Sequence, residues 1–197
     1  MLRQAQAAVA DALAPVAANP GPDRQAYLDW LAGEHAVCQR CAGAMEAVAG
    51  WHGRQPELHA TAREWAAELR DLARLAAADV RALGGTASAP PALLEEWRLF
   101  LEQASRCHRA GEALGAVALH AWRLPGLAGP ALTALLGQPA VRTASLYLAR
   151  RCRDDDPETR TWRGALLEAY SDTALAAGAQ RAAAWSLAGL PPARPAP

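Results

Sequence analysis

Residues 56–85, PELHATAREWAAELRDLARLAAADVRALGG, decide the fold class of this chain. Leu58, Ala62, Trp65, Leu69, Leu72, Ala76, Val80 and Leu83 recur at intervals of three and four, which lines them up on one side of a 3.6-residue helix. The stripe runs for about seven turns. Gly84–Gly85 ends it, because glycine accepts the left-handed backbone that a helix C-terminus needs.

The segments on either side have the same character. Ala, Leu, Arg, Glu and Gln dominate, isoleucine is absent, and valine and threonine are scattered, so no run shows the β-branched alternation of a strand. The expected fold class is all-α. Gly and Pro set the boundaries at NPGPD (19–23), GWHGRQP (50–56), GGTASAPP (84–91), LPGLAGP (124–130) and GQP (137–139), giving six to eight helices, the first over Leu2–Ala18. Asp156–Pro157–Glu158 is a start signal: a capping carboxylate, a proline at the first helical position and an acid that the helix dipole favours. The helix after it carries Trp162, Leu166, Leu167 and Tyr170. The tail PPARPAP cannot continue a helix, so residues 190–197 are expected to be a disordered appendage to one domain over 1–189.

At 197 residues and 52% hydrophobic content, the chain can bury one substantial core. Twenty basic residues balance 20 acidic ones, so nothing in the charge points to nucleic acid or an anionic membrane. All the basic residues are arginine, which excludes lysine nucleophiles and Schiff bases. No apolar run approaches the roughly 18 residues needed to span a bilayer. Four cysteines and no secretory leader lead to the expectation of a reduced, cytoplasmic protein. No phosphate loop, nucleophile elbow or Ser–His–Asp signature is present.

Cys38-x-x-Cys41 with His35 offers three donors at i, i+3 and i+6, a spacing that could face a metal from one helix. The same cysteines also fall on an apolar stripe with Tyr27, Leu31 and Met45, and the pair is read as core packing, with metal or redox use as the alternative. His108 and Glu112 are four apart and would share a helix face as a hydrogen-bonded pair or as two ligands. Glu64, Glu68 and Asp71 form an acidic stripe that Arg63, Arg70 and Arg74 can neutralise, and Glu168 and Asp172 repeat the four-residue spacing. Carboxylates from several helices plus a histidine would make a metal site in a bundle, although no Glu-x-x-His pair stands here.

The order of features resembles the bacterial heme oxygenases and the wider heme-oxygenase-like superfamily. Asp23, Arg24, Tyr27, Trp30, Leu31 and His35 resemble the end of that family's opening region, ADVRALGG (78–85) resembles its third-helix ending, Leu114–Gly115–Ala116 the start of its distal helix, and Trp162 with Leu166 a late helix. The resemblance spans about residues 2 to 188 and implies a single compact helical domain. It also implies where heme chemistry should sit. The family's proximal histidine corresponds to a place near Ala10, and no histidine precedes His35, so conventional heme ligation is missing. The glycine-kinked distal pattern falls on Leu119–Leu127. There Ala121, Trp122 and Arg123 replace the family's glutamate, glycine and serine, and of the closing glycine pair only Gly126 remains. Tryptophan occupies space that glycine would leave open, so Trp122 is expected to point into a central pocket.

The leading expectation is therefore a bacterial pseudoenzyme candidate with a helical pocket for a small molecule or a surface for a protein partner. Tyr27, His35, His120, Trp122, Arg123 and Gly126 are the pocket-lining candidates. The first alternative is a non-heme iron or manganese oxygenase or oxidase drawing on Glu34, His35, Glu64, Asp71, His108, Glu112, Glu168 and Asp172. The second is a structural interaction module, including a homodimer, in which some of the seven tryptophans form the contact.

Overall fold

Seven helices and no strand are found among the described residues: α1 (Arg24–Trp51), α2 (Pro56–Ala82), α3 (Pro91–Arg106), α4 (Ala110–Trp122), α5 (Leu146–Arg153), α6 (Pro157–Glu168) and α7 (Asp172–Ala188). The computed structural model describes residues 24–86, 91–122, 132–133, 136–137, 139, 141–153 and 157–188. The helix expected over Leu2–Ala18, residues 123–131 around Pro125 and the tail 190–197 lie outside them.

The 56–85 stretch folds as its periodicity requires. Ala62, Trp65, Leu69, Leu72, Ala76 and Val80 are all buried on α2, and Pro56 sits at the first helical position, where its missing N–H costs nothing. At the other end Gly84 has φ +67°. The Gly84 N–H bonds to Arg81 O at 2.8 Å and the Gly85 N–H to Val80 O at 3.0 Å, a Schellman closure. Arg24 reaches across to the Leu83 carbonyl, tying the start of α1 to the end of α2.

The short 52–55 turn folds α1 back on α2, and these two form the most extensive helix pair. Leu31, Cys38, Cys41, Met45 and Val48 from α1 join the α2 stripe in one hydrophobic core. The second close pair is α4 with α7. A Cβ on Gly115 would run into the Leu175 backbone, one on Gly178 into the Glu112 backbone, and one on Gly111 would come within 2.7 Å of Ala174 Cβ. The absence of side chains there lets the two backbones touch. α3 bridges the pairs, contacting α1, α4 and α7, while α5 and α6 lie on α2.

Two polar devices join these layers. Asp79, fully buried on α2, accepts the Leu146 N–H at Oδ1 (3.1 Å) and the Tyr147 N–H at Oδ2 (2.8 Å), so one helix caps the N-terminus of another. Burial pushes the Asp79 carboxyl above the usual carboxylate range, and the two N–H donors oppose that shift. Arg163 of α6 is buried with its guanidinium 5.0 Å from the Trp65 ring centroid and bonded to Glu68. Within the acidic stripe on α2, Asp71 is paired by Arg74, as its spacing suggested, and Glu68 by Arg163 from another helix, while Arg70 pairs with Glu46 of α1.

Candidate metal centre

α1 is apolar over most of its inward face, and Glu34 interrupts that face. A carboxylate inside a core is costly unless it is bonded or paired, yet Glu34 is only 4% exposed. Cys38 follows four residues later, so helical geometry stacks the two side chains on one side of α1. Opposite them stands α4, whose sequence AGEALGAVALHAW is almost wholly apolar and carries one imidazole, His120, with no solvent exposure.

These three side chains converge. Cys38 Sγ lies 3.3 Å from His120 Nε2, Glu34 Oε2 lies 4.0 Å from the same nitrogen, and the three donor atoms all fall within 4.8 Å of one another. The Tyr147 hydroxyl donates to Glu34 Oε2 at 2.5 Å. Arg151, one turn further along α5, donates through Nη2 to the His120 carbonyl at 2.8 Å. Cys41 is fully buried close by, and Trp97 of α3 lies edge-on to His120 with ring centroids 6.3 Å apart.

The electrostatics keep His120 neutral. Complete burial drives its pKa well below the ordinary value, and the Arg151 cation adds to the effect. A neutral imidazole has a lone pair to give, and Nε2 is the atom that faces Cys38 and Glu34. Its Nδ1, on the far side of the ring, is buried with no hydrogen-bond partner among the described residues, a cost of about 1–3 kcal/mol that an ion at Nε2 would not repay. Burial holds Cys41 as a thiol, with the neighbouring Cys38 adding to the upward shift.

Two chemistries use Cys, His and Glu together, and the geometry separates them. In a nucleophile relay the thiol and the carboxylate bind opposite nitrogens of the imidazole, so that one orients the ring while the other is activated. Here both approach Nε2. That is the arrangement of donors around a common point. For a tetrahedral ion with metal–sulfur and metal–nitrogen bonds of the usual length, donor atoms lie about 3.3–3.6 Å apart. The Cys38–His120 separation of 3.3 Å already matches, and Glu34 to His120 needs to close by less than about 1 Å from 4.0 Å.

The structure brings together three of the sequence-derived candidates, Glu34, Cys38 and His120, in a combination the spacing did not suggest. His35 lies on another side of α1: its Nδ1 bonds to Ala73 O at 2.9 Å, and it lines an open groove of about 460 Å³ with Gln39, Arg70, Asp71 and Arg74. The His35, Cys38, Cys41 spacing therefore does not form a ligand set; the four-residue step Glu34–Cys38 does. Tyr27 is buried, stacks on Trp30 and donates to Ala144 O at 2.8 Å. Glu64, Glu168 and Asp172 are exposed, and Asp71 is held by Arg74. His108 and Glu112 do not share a helix face, because His108 sits in the turn before α4 with φ +52° and Glu112 is engaged by Arg109. Among the described residues none of these belongs to the cluster of three donors. The side chain of Trp122, and residues Ala10, Arg123 and Gly126, lie outside the described residues.

The sequence carried two signals that could have pointed to the centre: the four-residue Glu34–Cys38 step on the apolar face of α1, which the spacing His35–Cys38–Cys41 obscured, and a lone histidine in an apolar helix. Nothing in the spacing pairs Cys38 with His120, 82 residues later. Comparisons with family models, curated proteins and solved structures return no match. Among the described residues no helix is long and apolar enough to cross a membrane.

Proposed function

We propose that this chain is a non-heme metal protein whose core holds one divalent transition-metal ion between the Glu34 carboxylate, the Cys38 thiolate and His120 Nε2. The supporting observation is the convergence of three chemically different donors on one buried point, with the histidine kept neutral. A set of one sulfur, one nitrogen and one oxygen suits zinc, ferrous iron or cobalt, and disfavours magnesium, calcium and manganese, which prefer all-oxygen sites.

This reading keeps the heme-oxygenase-like resemblance as a proposal about the fold's kinship and replaces conventional heme with a small ion. It also moves the non-heme centre away from the carboxylates of α2, α6 and α7 that the sequence offered. The residues act in distinct ways. Cys38 and Glu34 supply negative charge, His120 a neutral lone pair, and Arg151 sets how much anionic charge the site needs to become neutral.

Elemental analysis of protein expressed with added zinc, iron and manganese tests the proposal, together with cobalt titration of the metal-free protein. One ion per chain is expected, with a sulfur-to-cobalt charge-transfer band in the near ultraviolet that Cys38→Ser abolishes. Protein that purifies without metal and shows no saturable cobalt spectrum would overturn the reading. Hemin added to the same preparation is expected to give neither a stoichiometric Soret band nor biliverdin with a reductant.

A further inference from the structure

Three donors leave a tetrahedral ion one position short, and the surroundings of the cluster restrict what can fill it. Tyr147 has no solvent exposure, and its hydroxyl is already 2.5 Å from the Glu34 oxygen that faces His120. Its placement is fixed from three sides. The Tyr147 N–H is capped by Asp79, the ring meets the edge of Trp30 at 5.7 Å between centroids, and the Arg151 guanidinium lies 6.0 Å from the ring centroid.

Charge favours an anionic fourth ligand. A divalent ion is neutralised by one carboxylate and one thiolate, but the buried Arg151 then leaves one positive charge uncompensated, and among the described residues Arg151 forms no ion pair. An unbalanced charge in a core is strongly disfavoured. A hydroxide or a phenolate would bring the whole group, Arg151 included, to zero, and the phenol already stands in place, buried and 2.5 Å from the Glu34 ligand oxygen.

We infer that Tyr147 is the fourth ligand, through its phenolic oxygen, and that the centre is a closed four-coordinate site and not one with a position open to substrate. The inference rests on the metal reading above. On metal binding the hydrogen bond from Tyr147 to Glu34 is exchanged for two metal–oxygen bonds, one to each residue, and the phenol proton passes to solvent. Closed tetrahedral sites are the structural kind, in which binding free energy is spent on holding helices together. This one would clamp α1, α4 and α5.

The test is a zinc titration of the metal-free protein, followed by ultraviolet difference spectroscopy and thermal unfolding. A tyrosinate difference band should grow to saturation at one zinc per chain, and zinc should raise the melting temperature. Tyr147→Phe should lack the band, release one proton fewer per ion than wild type, and bind zinc at least about 10- to 100-fold more weakly, the loss that even an outer-shell partner can cause. Tyr27→Phe should keep the band. If Tyr147→Phe does not fold, the wild-type difference spectrum still decides the question. Zinc binding without a tyrosinate band, and with unchanged affinity in Tyr147→Phe, would overturn the fourth-ligand assignment and leave the three-donor site standing. Absence of zinc binding to wild type would overturn the metal reading itself.

Discussion

Helix α4 meets its neighbours with two faces that work on opposite principles. Towards α7 it presents Gly111 and Gly115, and the contact is backbone against backbone with no polar chemistry. Towards α1 it presents His120, nine residues and therefore about half a turn of the helix circumference away from Gly111, and the contact is a set of polar atoms that converge on one buried point. The first face is finished by packing. The second gathers a carboxylate, a sulfur and an imidazole inside the core, groups that packing alone does not call for. A helix clamped by glycines on one side can hold a strained polar group on the other, because its position does not depend on that group.

The largest expected effect breaks the glycine face. Gly115→Ala or Gly178→Ala places a Cβ into the opposing backbone, which cannot yield as a side chain would; a loss of about 3 kcal/mol or outright misfolding is expected. Urea unfolding followed by circular dichroism measures it, and a change under about 0.5 kcal/mol would mean the two backbones do not touch.

Asp79→Ala attacks the support of the polar face. It leaves the Leu146 and Tyr147 N–H groups uncapped, and about 1–2 kcal/mol of stability should be lost. Because these N–H groups place Tyr147 beside Glu34, metal affinity should fall in the same variant. A stability loss with unchanged affinity would separate the cap from the centre.

The pH dependence of the metal-free protein sharpens the comparison further. The folded pKa of His120 lies below its unfolded value near 6.5, so the unfolded chain binds more protons in the window below 6.5 and stability falls as the pH is lowered through it. The slope from this one group reaches at most about 1.4 kcal/mol per pH unit. Asp79 acts in the other direction: its folded pKa is raised, so its contribution is fully present below the unfolded value and is lost as pH rises through the folded one. Denaturant midpoints measured across this range should show the His120 limb in wild type and not in His120→Leu. An unchanged limb in that variant would assign the acid sensitivity elsewhere.

The smallest effect serves as the control. Gly43 is exposed within α1 and has nothing within 4 Å of a Cβ position, so Gly43→Ala should stabilise the chain by about 0.5–1 kcal/mol. A destabilised Gly43→Ala protein would show that α1 is not a regular helix there.

Much of the fold was legible in the residues. The apolar period of 56–85, the glycine pair that ends it and the proline at 157 gave helix positions that hold at Pro56–Ala82 and Pro157–Glu168. The candidate site was legible only in pieces. Glu34 and His120 could be named, but the metal spacing that stood out was His35–Cys38–Cys41, and helix rotation places His35 against the Ala73 carbonyl instead. Of the arginines that spacing set against the acidic stripe on α2, Arg74 does pair with Asp71, whereas Arg70 pairs with Glu46 of α1 and Glu68 is met by Arg163 from a distant helix. Similarly, His108 and Glu112 share a spacing but not a helix, because the chain turns between them.

By itself the sequence determined the local order: which segments are helical, where they stop, which faces are apolar, and that the bilayer, nucleic acid and lysine chemistry are not implied. Those properties depend on neighbours within a turn or two, and the period of the side chains records them directly. Tertiary structure alone decided which polar residues meet. Glu34 and Cys38 acquire meaning only when α4, gripped by α7 through Gly115 and Gly178, turns His120 toward them and Asp79 sets Tyr147 beside them. Each of those contacts is fixed by how closely two helices can approach, and no spacing within one segment encodes that distance.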